Sequence, residues 1–313
     1  LKVLAITTYR NISLIWNPSA GAMRWRRGLP RHVAEALAAL GHGVSVIETE
    51  GPGTAGRIAR RRIEEGADLI LALGGDGTLN ELLPGVAHTA VPLAVIPGGT
   101  ANVLSRELGL GVSALKAARR LGECVPLRVP LGVLRCEPEA EPRYFLLMAG
   151  VGFDAHIVYR LNLPLKAKAG QLAYWIGSFR EFLRRLDEFQ VEANGESFTC
   201  SFALASRVQN YAGYLRIARR VSLPKQEFET VLFEGGSALR YYLKYLAAVL
   251  TGGTANVKGM SFVRAQSVRF SGPAGRRIYV QVDGEYAGRL PATVELEPAA
   301  LTLLVPPEYA RRA

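Results

Sequence analysis

An α/β domain with a doubly wound parallel sheet, followed by an antiparallel β-sandwich-like domain, is the fold that the sequence predicts. Three observations carry it. From Ile12 to about Leu121, short apolar runs alternate with helix-like segments, which indicates a parallel sheet with helices packed on its faces. After Val125, strand-like runs follow one another with few helical candidates between them, as in antiparallel sheets. At 313 residues the chain suits two domains better than one. The boundary is expected near Cys124 to Pro126, giving an α/β domain over residues 1–125 and a β-rich domain over residues 126–297.

In the first half, strands are expected at Ile12 to Trp16, Val44 to Ile47, Leu69 to Leu73 and Leu93 to Ile96; all are nearly continuous apolar runs, as suits strands buried on both faces. Between the first two, Leu29, Val33, Ala36, Leu37 and Leu40 share one helical stripe, and "GHG" stops the helix. Ligands of such a sheet lie beyond the carboxyl ends of its strands, where "NPSAG", "GGDGT" and "PGGTAN" all fall. The second half offers strands in "PLRVPLGVLR", "RYFLLMAGVGF", "FTCSFALAS", "TVLFE", "QSVRFSG", "RIYVQVDG", "ATVELE" and "LTLLVP". Its two helical candidates are Lys166 to Asp187 and Ser237 to Leu250.

Composition narrows the function classes. With 49% hydrophobic and 21% charged residues the chain is an ordinary globular protein rather than a disordered one. No apolar run reaches the roughly 18 to 20 residues that span a bilayer; Lys244 interrupts the greasiest stretch, "ALRYYLKYLAAVL". The N-terminal run has no small-residue cleavage site, so no secretory signal is expected. Cys124, Cys136 and Cys200 are widely spaced, odd in number and lack a CxxC pair, which argues against a disulfide framework or a zinc site and for a reducing cytoplasm. A net charge of +11 favours polyanionic partners, whether nucleotides or an anionic membrane surface. Helix-turn-helix, zinc-finger and RNP signatures are absent, so no nucleic acid is expected. His32, His42, His88 and His156 have no metal-ligand spacing and are expected to be surface or packing residues.

Among the motifs, "GPGTAG" at Gly51 to Gly56 is a weak GxGxxG match, stiffened by Pro52, and reads better as a helix start capped by Thr54. No GxxxxGK[ST] occurs, so a P-loop is excluded. "LGGDGTLNE" (Leu73 to Glu81) differs from both. Gly74, Gly75 and Gly77 allow unusual backbone shapes, and Thr78 with Glu81 has the spacing of a capping box. Asp76 is the puzzle, because a glycine turn at a helix start usually holds an anion. A cation between Asp76 and a phosphate resolves it, since a bound magnesium ion inverts the local charge logic. About 20 residues on, Gly98 and Gly99 end the next strand, with Thr100 and Asn102 on the same rim. Two such loops at adjacent strand ends make a nucleotide site.

"NPSAG", "LGGDGTLNE", "IPGGTANVLSRELGL", "FLLMAGVGFDAHIV" followed by "KAKAGQLAYWIGSFR", and "VQVDGE" together resemble the diacylglycerol kinase catalytic-domain family, related to sphingosine and ceramide kinases. The likeness spans nearly the whole chain. "GGDGT" alone also suits NAD kinases; joined to "PGGTANVLSRELG" it is more specific to lipid kinases. The resemblance implies an NAD kinase/diacylglycerol kinase-like fold, with a cleft between the two domains and residues 298–313 returning to the first. It also implies transfer of phosphate from ATP, with Mg2+, to a membrane lipid hydroxyl, diacylglycerol above all, by a cytoplasmic protein peripherally bound to the membrane. An oligomer is compatible with it.

By the same resemblance Asn17, Gly75, Asp76, Gly77, Thr78 and Thr100 line the nucleotide and metal site, with Gly74, Gly98, Gly99 and Asn102 in the same loops. Arg24 and Arg27 sit just after "NPSAG", where basic side chains reach phosphates, although a solvated surface charge reads the same. Asp283 and Glu285 in "VDGEYAG" fall at the active site, although Asp-Gly is equally a hairpin signal. Phosphoryl transfer needs a carboxylate to accept the hydroxyl proton; in the family it has been read as either the glycine-loop aspartate or the glutamate of "DGE". Here Glu285 is taken as the base and Asp76 as the metal-linked group. Asp154 resembles a residue facing the lipid head group. Lys166 and Lys168 open a basic, aromatic segment of the kind that meets anionic lipid. Where the family has an aspartate-rich "DDG", this chain has "VSLPKQEFE" (Val221 to Glu229); no accessory metal is expected there, and Lys225 is expected to take its electrostatic place, pairing with Glu227, Glu229 or another nearby carboxylate. An NAD kinase-like enzyme and a non-catalytic nucleotide-binding membrane-surface protein of the same fold are the alternative readings.

Overall fold

Five parallel strands organise the first of two units into which the chain divides, residues up to Leu131 together with those from Pro298 onward. The structure is a computed structural model and describes residues 7–19, 21–137, 141–152, 186–211, 215–236 and 257–312. β1 (Ile12–Trp16) lies between β2 (Val44–Glu48) and β3 (Leu69–Gly74), with Ile12 opposite Val44 on one side and Leu69 on the other. β4 (Leu93–Pro97) pairs with β3, and the end of the long strand Ala292–Val305 pairs with β4, Leu303 opposite Leu93. Every residue of β1, β3 and β4 is buried. At about 1.5–3 kcal/mol for each large apolar side chain buried, these strands are the unit's main source of stability.

β2 departs from expectation. It closes the sheet at one edge, so its apolar run is half exposed, and Val46 is 44% exposed. Helix α1 (Leu29–Ala38) turns Val33 and Leu37 inward and stops short of Gly41, whose φ of 86° is the left-handed conformation that glycine adopts cheaply. Helix α2 (Ala55–Glu64) begins after Thr54, but the threonine does not cap it; its hydroxyl donates to the Gly51 carbonyl at 2.7 Å and closes the preceding turn. α2 packs backbone to backbone on α3 (Asp76–Val86): a Cβ on Gly85 would lie 2.1 Å from the Gly56 carbonyl oxygen. Two short helices, α4 (Val103–Glu107) and α5 (Ala114–Arg119), follow β4.

The second unit, Gly132–Glu297, is antiparallel. One sheet runs in the order Met260–Ala265, Phe228–Phe233, Phe202–Ser206, Met148–Gly152, Tyr279–Val282, Glu285–Arg289. Facing strands include Phe189–Ala193, Glu196–Cys200, Ser267–Ser271 and the beginning of Ala292–Val305. Their inward residues, among them Phe189, Val191, Val268 and Phe270, share one core with Val151, Phe228 and Val280 of the first sheet. Burial alternates along Phe189–Ala193 and Ser267–Ser271, as in a strand with one wet face.

Several expected strands divide or merge. "RYFLLMAGVGF" breaks between Phe145 and Met148, "FTCSFALAS" breaks at Ser201, and "ATVELE" joins "LTLLVP" in the strand Ala292–Val305. Phe189–Ala193, Met260–Ala265 and Glu285–Arg289 were not expected as strands. The two helical candidates fall almost wholly outside the described residues.

Candidate functional site

Because the first unit's strands are parallel, "NPSAG", "GGDGT" and "PGGTAN" leave the same edge of the sheet, at the adjacent ends of β1, β3 and β4. The order β2-β1-β3 reverses direction at β1/β3, where doubly wound sheets bind ligands. None of Gly74, Gly75, Gly77, Gly98 and Gly99 has a positive φ, so the expected reason for these glycines needs correcting. Gly75, Gly98 and Gly99 let two loops touch. A Cβ on Gly99 would stand 2.5 Å from Gly75 Cα, and one on Gly98 2.7 Å from Met23 Sδ. Gly98 and Gly99 N–H both donate to the Gly74 carbonyl, at 2.8 and 3.2 Å.

Asp76 is the first residue of α3, and its carboxylate reaches across to α4, accepting from Val103 N–H at 3.1 Å (Oδ2) and Leu104 N–H at 3.3 Å (Oδ1). The carboxylate therefore has a structural task that the sequence reading did not foresee: it satisfies amides at the start of one helix from the start of another. Asn102, with φ 48°, folds its side-chain amide back on Gly99, accepting from N–H at 2.9 Å and donating to the carbonyl at 2.8 Å. Thr100 is exposed at the tip of that loop.

The capping box is not formed. Thr78 lies inside the first turn of α3 against Gly74, its hydroxyl buried with no hydrogen-bond partner among the described residues, and Glu81 accepts from Gly53 N–H at 3.0 Å. Asn17 accepts from Ser19 N–H at 2.9 Å and closes its own turn. Arg24 and Arg27 are both exposed, on and just after the 3-10 turn Gly21–Trp25. The rim thus offers the amides of the α3 N-terminus to an anion, with one carboxylate beside them, while Gly98 and Gly99 N–H are spent on the Gly74 carbonyl.

On the second unit Asp283 and Gly284 form a two-residue hairpin turn with φ of 49° and 84°, the primed geometry that matches strand twist. The Asp283 carboxylate is buried and accepts three backbone N–H groups at 2.9 Å, from Leu146 (Oδ2) and from Leu147 and Met148 (Oδ1). Glu285 follows, half-buried, opposite Val282. Asp154, Lys166 and Lys168 lie outside the described residues. Within Val221 to Glu229, Lys225 Nζ donates to the Arg220 carbonyl at 2.5 Å, not to a carboxylate as expected. Glu227 pairs with Arg264, and Glu229 accepts the amides of Arg219 and Arg220. Arg207, which the sequence reading missed, sends its guanidinium to the Leu146 and Leu223 carbonyls. No pattern marks this arginine in the sequence; it simply follows an apolar strand.

Among the described residues no group of three or more His, Cys, Asp or Glu side chains is placed to hold a metal ion, and no helix is long and apolar enough to cross a membrane. All three cysteines are free and buried, and burial pushes the Cys124 thiol up to about 11. His42 is a packing residue: Nδ1 accepts from Tyr9 N–H at 3.1 Å, and burial lowers its pKa.

Fold and rim together define the class, an α/β domain with a ligand-type strand edge joined to an antiparallel sandwich. Residues 11–132 match the diacylglycerol kinase catalytic domain, and residues 148–305 match the YegS C-terminal NAD kinase beta sandwich-like domain. The chain belongs to the diacylglycerol kinase catalytic-domain family and is a lipid kinase, a phosphotransferase. The diacylglycerol kinase of Bacillus subtilis (strain 168) is 28% identical over 288 residues, covering 89% of this chain and 90% of that protein. The diacylglycerol kinase of Staphylococcus saprophyticus is 29% identical over 286 residues, with the same coverage of 89% and 90%. A solved structure of a candidate diacylglycerol kinase from Bacillus anthracis str. Sterne has the same fold, with a TM-score of 0.78 at 21% identity over 99% of both chains.

Proposed function

We propose that the protein transfers the γ-phosphate of ATP to the hydroxyl of a membrane lipid, diacylglycerol above all. The observation that supports it most is the pairing of the two glycine loops on neighbouring parallel strands, with α3 amides at the rim and Asp76 beside them. A magnesium ion arriving with the nucleotide would supply charge neutralisation on the phosphates; such ions are commonly held by one or two carboxylates plus phosphate oxygens, and the Asp76 carboxylate is a donor of that kind. The glycine backbone and Thr100 orient the phosphates, with Arg24 and Arg27 as exposed cations nearby in sequence. Glu285 accepts the proton of the acceptor hydroxyl. Asp283, whose carboxylate is committed to three backbone amides, positions the turn rather than touching the reaction. The protein works peripherally at an anionic membrane surface, consistent with its charge of +11.

Mixed micelles carrying diacylglycerol, sphingosine or ceramide, with labelled ATP, test this reading. Phosphorylated diacylglycerol is the expected product; strong phosphorylation of NAD with none of any lipid overturns it. No accessory ion is required at Val221 to Glu229, where Lys225 and Arg207 carry positive charge to the carbonyls of Arg220 and Leu223. At fixed MgATP, activity is expected to be flat in added free magnesium; a steep rise refutes this.

A further inference from the structure

We infer that Arg207 is a positioning residue for phosphoryl transfer, acting through the Leu146–Met148 segment and Asp283 on the turn that carries Glu285. The inference rests on the proposed role of Glu285. Arg207 follows the strand Phe202–Ser206 and is 0% exposed. Its backbone N–H donates to the Leu147 carbonyl at 2.8 Å, Nη1 to the Leu146 carbonyl at 3.1 Å and Nη2 to the Leu223 carbonyl at 2.5 Å. Leu146 and Leu147, together with Met148, give their N–H groups to Asp283. Leu146 therefore stands between a cation at its carbonyl and an anion at its amide, an arrangement in which successive hydrogen bonds polarise one another.

Asp283 in turn holds a hairpin turn in which both residues have positive φ, secured further by Gly284 N–H donating to Gln281 Oε1 at 2.8 Å. Glu285 is the next residue. Burying a guanidinium carries a desolvation cost, and apolar side chains of similar volume often replace buried charged groups without loss of stability. Stability alone is thus a poor reason for Arg207. Its geometry gives a better one: it fixes the carbonyl side of the segment whose amide side fixes the catalytic turn. The second arm, on Leu223, ties the Val221 to Glu229 segment to the same turn.

The test is Arg207→Lys, which keeps the charge but loses the two-armed fork. Displacing Glu285 by a fraction of an ångström to 1 Å is expected to lower kcat by about 10- to 100-fold, with KM for MgATP and lipid within about threefold. In a Glu285→Gln background the same change is expected to cost less than about threefold, because residues acting as a unit are non-additive. Wild-type kcat in Arg207→Lys, or an equal loss in both backgrounds, overturns the inference. Should Arg207→Lys not fold, Arg207→Gln is read in the same way, and failure of both to fold assigns Arg207 to structure alone. Should the wild-type protein phosphorylate no lipid, the proposed function fails first, and hydrogen exchange then judges Arg207 separately. Amides of residues 279–289 are expected to exchange at least about tenfold faster in the variant while β1 and β3 stay unchanged, the pattern of a local opening; no local acceleration overturns the positioning role.

Discussion

Asp76 and Asp283 are both aspartates beside glycine, and each spends its carboxylate on backbone amides far away in sequence. Glu285 makes no such commitment to the Leu146–Met148 amides, which all go to its neighbour Asp283. This difference separates the roles. In the proposed mechanism Glu285→Gln removes the proton acceptor and is expected to lower kcat by about 10²- to 10⁴-fold, the usual scale of general-base catalysis, while the protein stays folded. Asp76→Asn keeps one acceptor oxygen but loses the charge that faces the helix dipole and, in the proposed mechanism, the cation, so it is expected to lose turnover and also about 1 kcal/mol of stability. Parallel measurement of kcat and thermal unfolding checks both. Near wild-type turnover in Glu285→Gln would return the base role to Asp76.

At the scale of elements, the rim is a contact between two loops as much as a ligand surface. Gly99 cannot carry a side chain without moving the Gly74–Gly75 backbone, because its Cβ would stand 2.5 Å from Gly75 Cα and 3.0 Å from Gly75 N. Gly99→Ala is expected to push the β3–α3 and β4–α4 loops apart, lengthen the Gly98 and Gly99 bonds to the Gly74 carbonyl, and raise the Kd for MgATP by at least about tenfold; one such factor corresponds to 1.4 kcal/mol. Calorimetric titration reads it directly. Unchanged nucleotide affinity in a folded Gly99→Ala protein would mean that the loops do not bind phosphate as a pair.

Across the whole molecule, the first unit depends on a chain segment from the far end of the sequence. Ala300, Leu301, Leu303, Leu304 and Val305 are buried in it, and Glu308 of the helix Pro307–Arg312 pairs with Arg120. The Arg120 hydrogen bond holds the Glu308 carboxyl below its ordinary value of 4.5. A depressed carboxyl contributes stability that is present above its unfolded pKa and lost as pH falls through the lower folded value. With Arg120 34% and Glu308 50% exposed, solvent screening limits the pair to roughly 0.5 kcal/mol. Glu308→Gln is therefore expected to lower stability slightly at pH 7 and to match the wild type in acid, once pH has fallen below the depressed folded pKa. Urea unfolding at both pH values reads the difference; a constant gap between them contradicts the assignment.

The sequence by itself determined what is local. Alternation of apolar runs and helical stripes placed β1 to β4 within a residue at each end, and α1 from Leu29, although Leu40, expected on its stripe, lies beyond the helix and is 44% exposed. It also placed the glycine loops at strand ends, because a parallel sheet leaves no other site for them. Tertiary structure decided everything that depends on a distant partner. β2 is exposed because it is an edge, which its composition does not reveal. Asp76 meets amides 27 and 28 residues away, and Asp283 meets amides 135 to 137 residues away. Gly75 and Gly99 are glycines because they touch each other, and Arg207 lies buried among carbonyls from two other segments. The physical reason is common to all four. A hydrogen bond or a close approach depends on where two stretches of chain lie in space, and periodicity carries information only about neighbours along one helix or strand.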